Sequence, residues 1–109
     1  VRYRKNKYGN KKVTIDGIKF DSKGEGARYR DLKLLEEAGK IQDLKLQVRF
    51  KMIVNEQLIC TYIVDFTYLD LDAVEYIAED FKGYRTDVYK IKAKLFKALY
   101  PEYRFLETS

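Results

Sequence analysis

The chain contains no histidine, which removes Ser-His-Asp hydrolysis, histidine-based nuclease chemistry and histidine-ligated zinc. Cys60 is the single cysteine, so neither an internal disulfide nor a zinc knuckle can form. Any metal site must therefore be built from oxygen ligands, which favours magnesium or manganese. Apolar runs are everywhere broken by charges, leaving no candidate transmembrane span, and no signal peptide is visible after Val1. There is one proline, and nothing outside the first dozen residues looks low in complexity.

What remains is the composition of one globular domain: 109 residues, 46% hydrophobic and 15% aromatic, with a net charge of +5. The basic excess points to a polyanionic partner. Residues 1–12 carry Arg2, Arg4, Lys5, Lys7, Lys11 and Lys12 with no acid, and are expected to form a flexible basic arm ahead of a single domain over residues 13–109.

Asp16-Gly17 lies between Val13-Thr14-Ile15 and Ile18-Lys19-Phe20, the pattern of a type I′ β-hairpin. Ser22 and Glu25 have the spacing of a capping box and open a helix that Gly39 ends. Its apolar stripe is expected at Leu32, Leu35 and Ala38, with Ala27 and Leu34 beside it. Strands are expected over residues 44–54, 58–69 and 74–82, joined by short turns into an antiparallel meander. A second helix, capped by Thr86 or Asp87 and stopped by Pro101, is expected to bury Val88, Ile91, Leu95 and Leu99. A last strand over residues 103–106 would lie at the sheet edge. The class is α+β: a central mixed sheet flanked by helices and preceded by a β-hairpin.

Two strand strings carry the chemistry, Ile63-Val64-Asp65-Phe66 and Ala78-Glu79-Asp80-Phe81-Lys82-Gly83. Alternation sends Asp80 and Lys82 to one face and Glu79 to the other, and a neighbouring strand can add Asp65 to the first pair. The strand through Asp65 has two largely apolar faces, one carrying Ile59, Thr61, Ile63, Asp65 and Thr67, the other Cys60, Tyr62, Val64, Phe66 and Tyr68. That is the pattern of a sheet covered on both sides, where a carboxylate needs an ion or a partner. Phosphodiester hydrolysis needs such a set: carboxylates to hold Mg²⁺ against the phosphate, and an ammonium to steady the developing charge. The competing reading of Asp65, Asp80 and Lys82 is a surface ion pair. Glu25 is open between helix capping and service at the same site.

The spacing Asp65…Asp80-Phe81-Lys82, with Lys23-Gly24-Glu25 on an earlier helix, resembles the PD-(D/E)xK nuclease superfamily. Val64 stands where its signature has proline. Longer strings resemble a small phage-encoded endonuclease family related to Holliday-junction resolvases of the phage endonuclease I kind. They are Lys7-Tyr8-Gly9-Asn10-Lys11, Phe20-Asp21-Ser22-Lys23, Ile41-Gln42-Asp43-Leu44, Leu46-Gln47 and Glu79-Asp80-Phe81-Lys82-Gly83. The resemblance implies a restriction-endonuclease-like core and Mg²⁺, with Mn²⁺ able to substitute. Asp65, Asp80, Glu25 and the Phe81 carbonyl would be ligands, and Lys82 the catalytic lysine. It implies action on branched DNA, above all four-way junctions, in the cytoplasm of an infected bacterial host. Gln47 is a further candidate for the site, or a plain cross-sheet hydrogen bond.

DNA contact is expected from the basic arm, from Arg85, and from the ridge of Lys90, Lys94 and Lys97 at helical spacing, with Tyr84, Tyr89 and Tyr100 as candidates for stacking on bases. A near-two-fold junction favours a homodimer, with the hairpin or the edge of the Phe50 strand as candidate interfaces. Two alternatives stay open: a general or replication-linked nicking nuclease of the same fold, and a non-catalytic nucleic-acid-binding module.

Overall fold

Asp16 and Gly17 both adopt the left-handed backbone that a type I′ turn demands, with φ 54° and 75°. They join β1 (Val13–Ile15) to β2 (Ile18–Phe20) in a two-stranded antiparallel sheet. A computed structural model describes residues 11–109; the arm residues Arg2, Arg4, Lys5 and Lys7 lie outside them. Lys11 and Lys12 are exposed and carry no regular structure.

Ser22 caps α1 (Lys23–Glu37), its Oγ accepting from the Glu25 N–H at 3.1 Å. Next come β3 (Ile41–Val54), β4 (Gln57–Asp70) and β5 (Glu75–Phe81), then α2 (Asp87–Leu99) and β6 (Tyr103–Thr108). The four long strands form one mixed sheet in the order β3-β4-β5-β6, antiparallel except for the β5–β6 pair. The protein is α+β, a mixed sheet flanked by helices with an N-terminal hairpin.

Adjacent residues of β5 point to opposite faces, and they separate two cores. Ile77 packs with Phe20, Tyr29, Leu32, Ile41, Phe66 and Tyr68 on the α1 side. Ala78 packs with Phe50, Met52, Tyr62, Val64, Tyr89, Ala93 and Phe96 on the α2 side. No helix of the described residues is long and apolar enough to cross a membrane.

Both helices are rotated from the expected stripes. α1 buries Glu25, Gly26, Tyr29 and Leu32, whereas Ala27, Leu34, Leu35 and Ala38 are exposed. α2 buries Tyr89, Ala93 and Phe96; Leu95 and Leu99 pack at the margin, while Val88 and Ile91 are 63% and 66% exposed. Aromatic area explains the rotation. Phe96 lies 4.9 Å from Phe50, 5.8 Å from Tyr62 and 5.8 Å from Phe105, ring centroid to ring centroid, and Tyr29 lies 5.0 Å from Phe20. These rings bury more surface than the aliphatic residues they displace.

The two glycines in the first turns of α1 are close-approach positions. A Cβ on Gly24 would collide with the Phe81 ring, and one on Gly26 would come within 2.8 Å of both Val13 and Ile15. They let α1 settle against β5 and the hairpin. β3 is an edge strand, but Phe50 itself is buried in the α2-side core.

A buried charge network locks α1 to the sheet. The fully buried Glu79 carboxylate accepts from Arg28 at 2.5 and 3.0 Å, from the Tyr68 hydroxyl at 2.6 Å and from Thr108 Oγ1 at 3.1 Å. Removing one partner of such a pair strands the other. Arg28→Met is expected to lower unfolding stability by about 3 kcal/mol in urea titrations, and adding Glu79→Gln should recover part of it. A loss below about 1 kcal/mol would mean that water replaces the guanidinium.

Candidate active site

The β4–β5 ladder runs from Asp70–Glu75 to Phe66–Glu79 and then stops. Past that point the strands part, and side chains take over the bonding. The Asp65 N–H donates to Asp80 Oδ1 at 3.0 Å, and the Phe81 N–H donates to Asp65 Oδ2 at 2.9 Å. Each acid therefore holds a backbone group of the opposite strand. The Tyr62 hydroxyl donates to Asp80 Oδ2, and Lys82 Nζ lies 3.9 Å from the same oxygen and 4.8 Å from the Tyr89 ring centroid.

Alternation along β4 breaks at Asp65. Tyr62 and Val64 belong to the α2-side core, whereas Phe66 and Tyr68 belong to the α1-side core. The facing strand does the same: Leu46 packs on the α1 side and Val48 on the α2 side. Val48 pairs with Val64 and Leu46 with Phe66, so the change of face falls where Gln47 lies opposite Asp65. Gln47 has φ 53°, a left-handed conformation inside a strand, and local departures of this kind re-aim side chains. The two constant faces expected of the Asp65 strand are thus replaced by a swap. Its outer half is also uncovered on one side, with Ile59 and Ile63 exposed.

The first turn of α1 brings the fourth group. The Glu25 carboxylate is buried and lines a cavity of about 450 Å³ with Asp21, Ser22, Asp65, Phe81, Lys82, Gly83 and Tyr84. It lies 3.5 Å from Gln47 Nε2, which is also 3.3 Å from Asp65 Oδ1. Ser22 thus caps the Glu25 N–H, while the Glu25 carboxylate faces the cavity. Asp80 is fully buried directly behind that wall.

Burial pushes the Asp65 carboxyl up to about 7, helped by the negative charges of Asp80 and Glu25 and opposed by the Phe81 N–H bond. Glu25 is also raised, by burial first and then by Asp21 and Asp80, against the Lys82 charge. The Tyr62 hydroxyl is raised by burial and by Asp80, so it remains a donor to that carboxylate. Among the described residues, no three acidic, cysteine or histidine side chains are already closed into a metal cage. The donor set nonetheless fits a hard divalent cation: it is all oxygen, and neighbouring carboxylates add to the effect of burial in raising Asp65 and Glu25.

The other expected residues divide. Lys90, Lys94, Lys97 and Arg85 line a separate cavity of about 250 Å³ with Phe105 and Glu107. Part of this charge is engaged, since Arg85 pairs with Glu107 at 3.3 Å and Lys90 with Asp87 at 4.0 Å. Lys92, which the sequence spacing did not single out, flanks a cavity of about 290 Å³ that shares Lys82 with the acidic one. Tyr89 is buried and donates to Glu107 at 2.9 Å, while Tyr100 stacks on Phe96 and donates to the Lys51 carbonyl at 2.7 Å. Neither offers a free ring for stacking on bases. Tyr84 is exposed at the acidic cavity.

Fold and site define an α+β protein with a carboxylate–lysine cluster at the point where two central strands part. The chain belongs to the family described as "Protein of unknown function (DUF1064)", whose model matches residues 5–108. No curated protein and no solved structure gives a significant match.

The raised Asp65 carboxyl makes a prediction for the metal-free protein. Its folded value of about 7 exceeds the ordinary aspartate value of 3.8, so the folded state holds the proton more tightly. The stability this contributes is full below about pH 4 and is lost as pH rises to about 7. Asp65→Asn should flatten that fall and leave the metal-free variant more stable at pH 8, by about 2 kcal/mol in urea titrations. A wild-type profile that is flat across this window in EDTA would refute the assignment.

Proposed function

We propose that the protein is a Mg²⁺-dependent DNA endonuclease of the PD-(D/E)xK kind that hydrolyses phosphodiester bonds in branched DNA, acting on four-way junctions as a homodimer. One observation carries the reading. Glu25 from α1, Asp65 from β4 and Lys82 just past β5 line one open cavity, and Asp80 of β5 lies buried behind them, bonded to the Asp65 N–H and 3.9 Å from Lys82.

Glu25, Asp65 and the Phe81 carbonyl would hold the cation, with Asp80 closing the set from behind. Bound there, Mg²⁺ or Mn²⁺ supplies charge on the scissile phosphate and acidifies water. Lys82 brings an ammonium to the same wall. It steadies the negative charge that grows on the phosphate oxygens as a water oxygen bonds to phosphorus and one P–O ester bond breaks. Tyr62 and the Asp65 N–H keep Asp80 oriented. Lys92 and Lys82 form a basic path along the adjoining cavity that suits a phosphate backbone. The Lys90, Lys94 and Lys97 ridge and the arm would add sequence-blind affinity.

The test is incubation with a labelled four-way junction and a matched duplex, with Mg²⁺ or with EDTA. Paired symmetric nicks confined to the junction are expected. EDTA and Asp80→Asn should abolish them, and Lys82→Ala should slow them by about 10²–10⁴-fold. Equal cutting of both substrates would make it a general nuclease. DNA binding without any cutting would make it a binding module and remove the catalytic roles.

Lys92→Ala should weaken junction binding and reduce the salt slope of log K by about 1, with thermal stability unchanged. Binding identical to the wild type at every salt concentration would take Lys92 out of the DNA path.

A further inference from the structure

Gln47 combines two unusual features. It is a non-glycine residue with φ 53° in the interior of a strand, a conformation that costs about 1 kcal/mol or more. Its exposed side chain nonetheless turns inward, with Nε2 3.3 Å from Asp65 Oδ1 and 3.5 Å from Glu25 Oε2. It thereby joins a carboxylate on the sheet to one on α1. Asp65 and Glu25 repel each other, and the group between them is a neutral amide. An ammonium or guanidinium in its place would attract both acids more strongly, but would also cancel the charge that draws a cation. The amide donates its N–H groups and leaves the net charge unchanged.

We infer that Gln47 is a positioning residue, an uncharged clamp that holds Glu25 against Asp65 so that the two carboxylates meet a divalent cation as a prearranged pair. The left-handed backbone is the local distortion that aims the clamp, since a regular strand would carry residue 47 along an unbroken face. The inference rests on the proposed divalent-cation site. Groups that orient ligand carboxylates typically change metal affinity by about 10–100-fold when removed.

The experiment measures Mn²⁺ binding by calorimetry on DNA-free protein, beside the metal-free thermal midpoint, for wild type, Gln47→Ala, Gln47→Gly and Gln47→Lys. Glycine accepts the left-handed backbone, so Gln47→Gly should fold at least as stably as the wild type and still bind Mn²⁺ about 10–100-fold more weakly. Gln47→Ala should show the same loss of affinity, and raising Mn²⁺ should restore its junction cleavage. Gln47→Lys should bind Mn²⁺ more weakly still. A plain cross-strand hydrogen bond would move the thermal midpoint and leave metal affinity alone; wild-type affinity in the alanine and glycine variants overturns the inference. A wild-type protein that binds no Mn²⁺ refutes the cation site itself, which is a separate failure.

Discussion

Two side-chain-to-backbone hydrogen bonds hold the centre of this molecule together. Asp80 accepts the Asp65 N–H, and Asp65 accepts the Phe81 N–H, just beyond the last rung of the β4–β5 ladder. Each carboxylate substitutes for a missing strand partner. The strands can therefore separate enough to open a cavity without leaving those amides unbonded, which a buried backbone does not tolerate. The acids that could hold an ion are the same acids that take over where the β4–β5 ladder ends. Structural and chemical demands at positions 65 and 80 are therefore inseparable.

Everything around that junction serves to place α1. Gly24 lets the Phe81 ring lie against the first turn, Gly26 admits the hairpin, and the Arg28–Glu79 pair fixes the next turn to β5. Glu25 lies between these three anchors. Its carboxylate reaches the cavity because the helix has no freedom to roll. The hairpin gives α1 a second surface and keeps Phe20 over Tyr29.

The element order was readable because its signals are local. Asp-Gly sets a turn, Ser22 and Glu25 start a helix, and alternating apolar residues mark strands. The acids and Lys82 could be paired from strand order alone. The change of face at Gln47 and Asp65 was not legible, because parity counting assumes an unbroken pleat and neither residue signals a left-handed backbone. Helix orientation was misread for a different reason. Counting apolar positions ranks Val88 and Ile91 with Phe96, whereas packing follows ring area and favours Tyr89 and Phe96. Glycine is a weak helix former, and only the three-dimensional approach of Phe81, Val13 and Ile15 explains Gly24 and Gly26 in the first turns of α1. Lys92 was hidden by the more regular spacing of Lys90, Lys94 and Lys97, yet it is the lysine whose cavity adjoins Lys82.

Glu79 and Asp80 are consecutive, fully buried, and directed into opposite layers. β5 is therefore a thin partition with a carboxylate on each side. On one side the circuit is closed by a guanidinium at 2.5 Å. On the other the nearest full positive charge, Lys82, is 3.9 Å away, and a hydroxyl and a backbone N–H do the rest. The imbalance gives β5 a direction across its thickness: Glu79 is matched by a guanidinium in contact, and Asp80 is left with a deficit of positive charge. In a low-dielectric interior an unmatched charge of this kind acts over longer distances than it would in water.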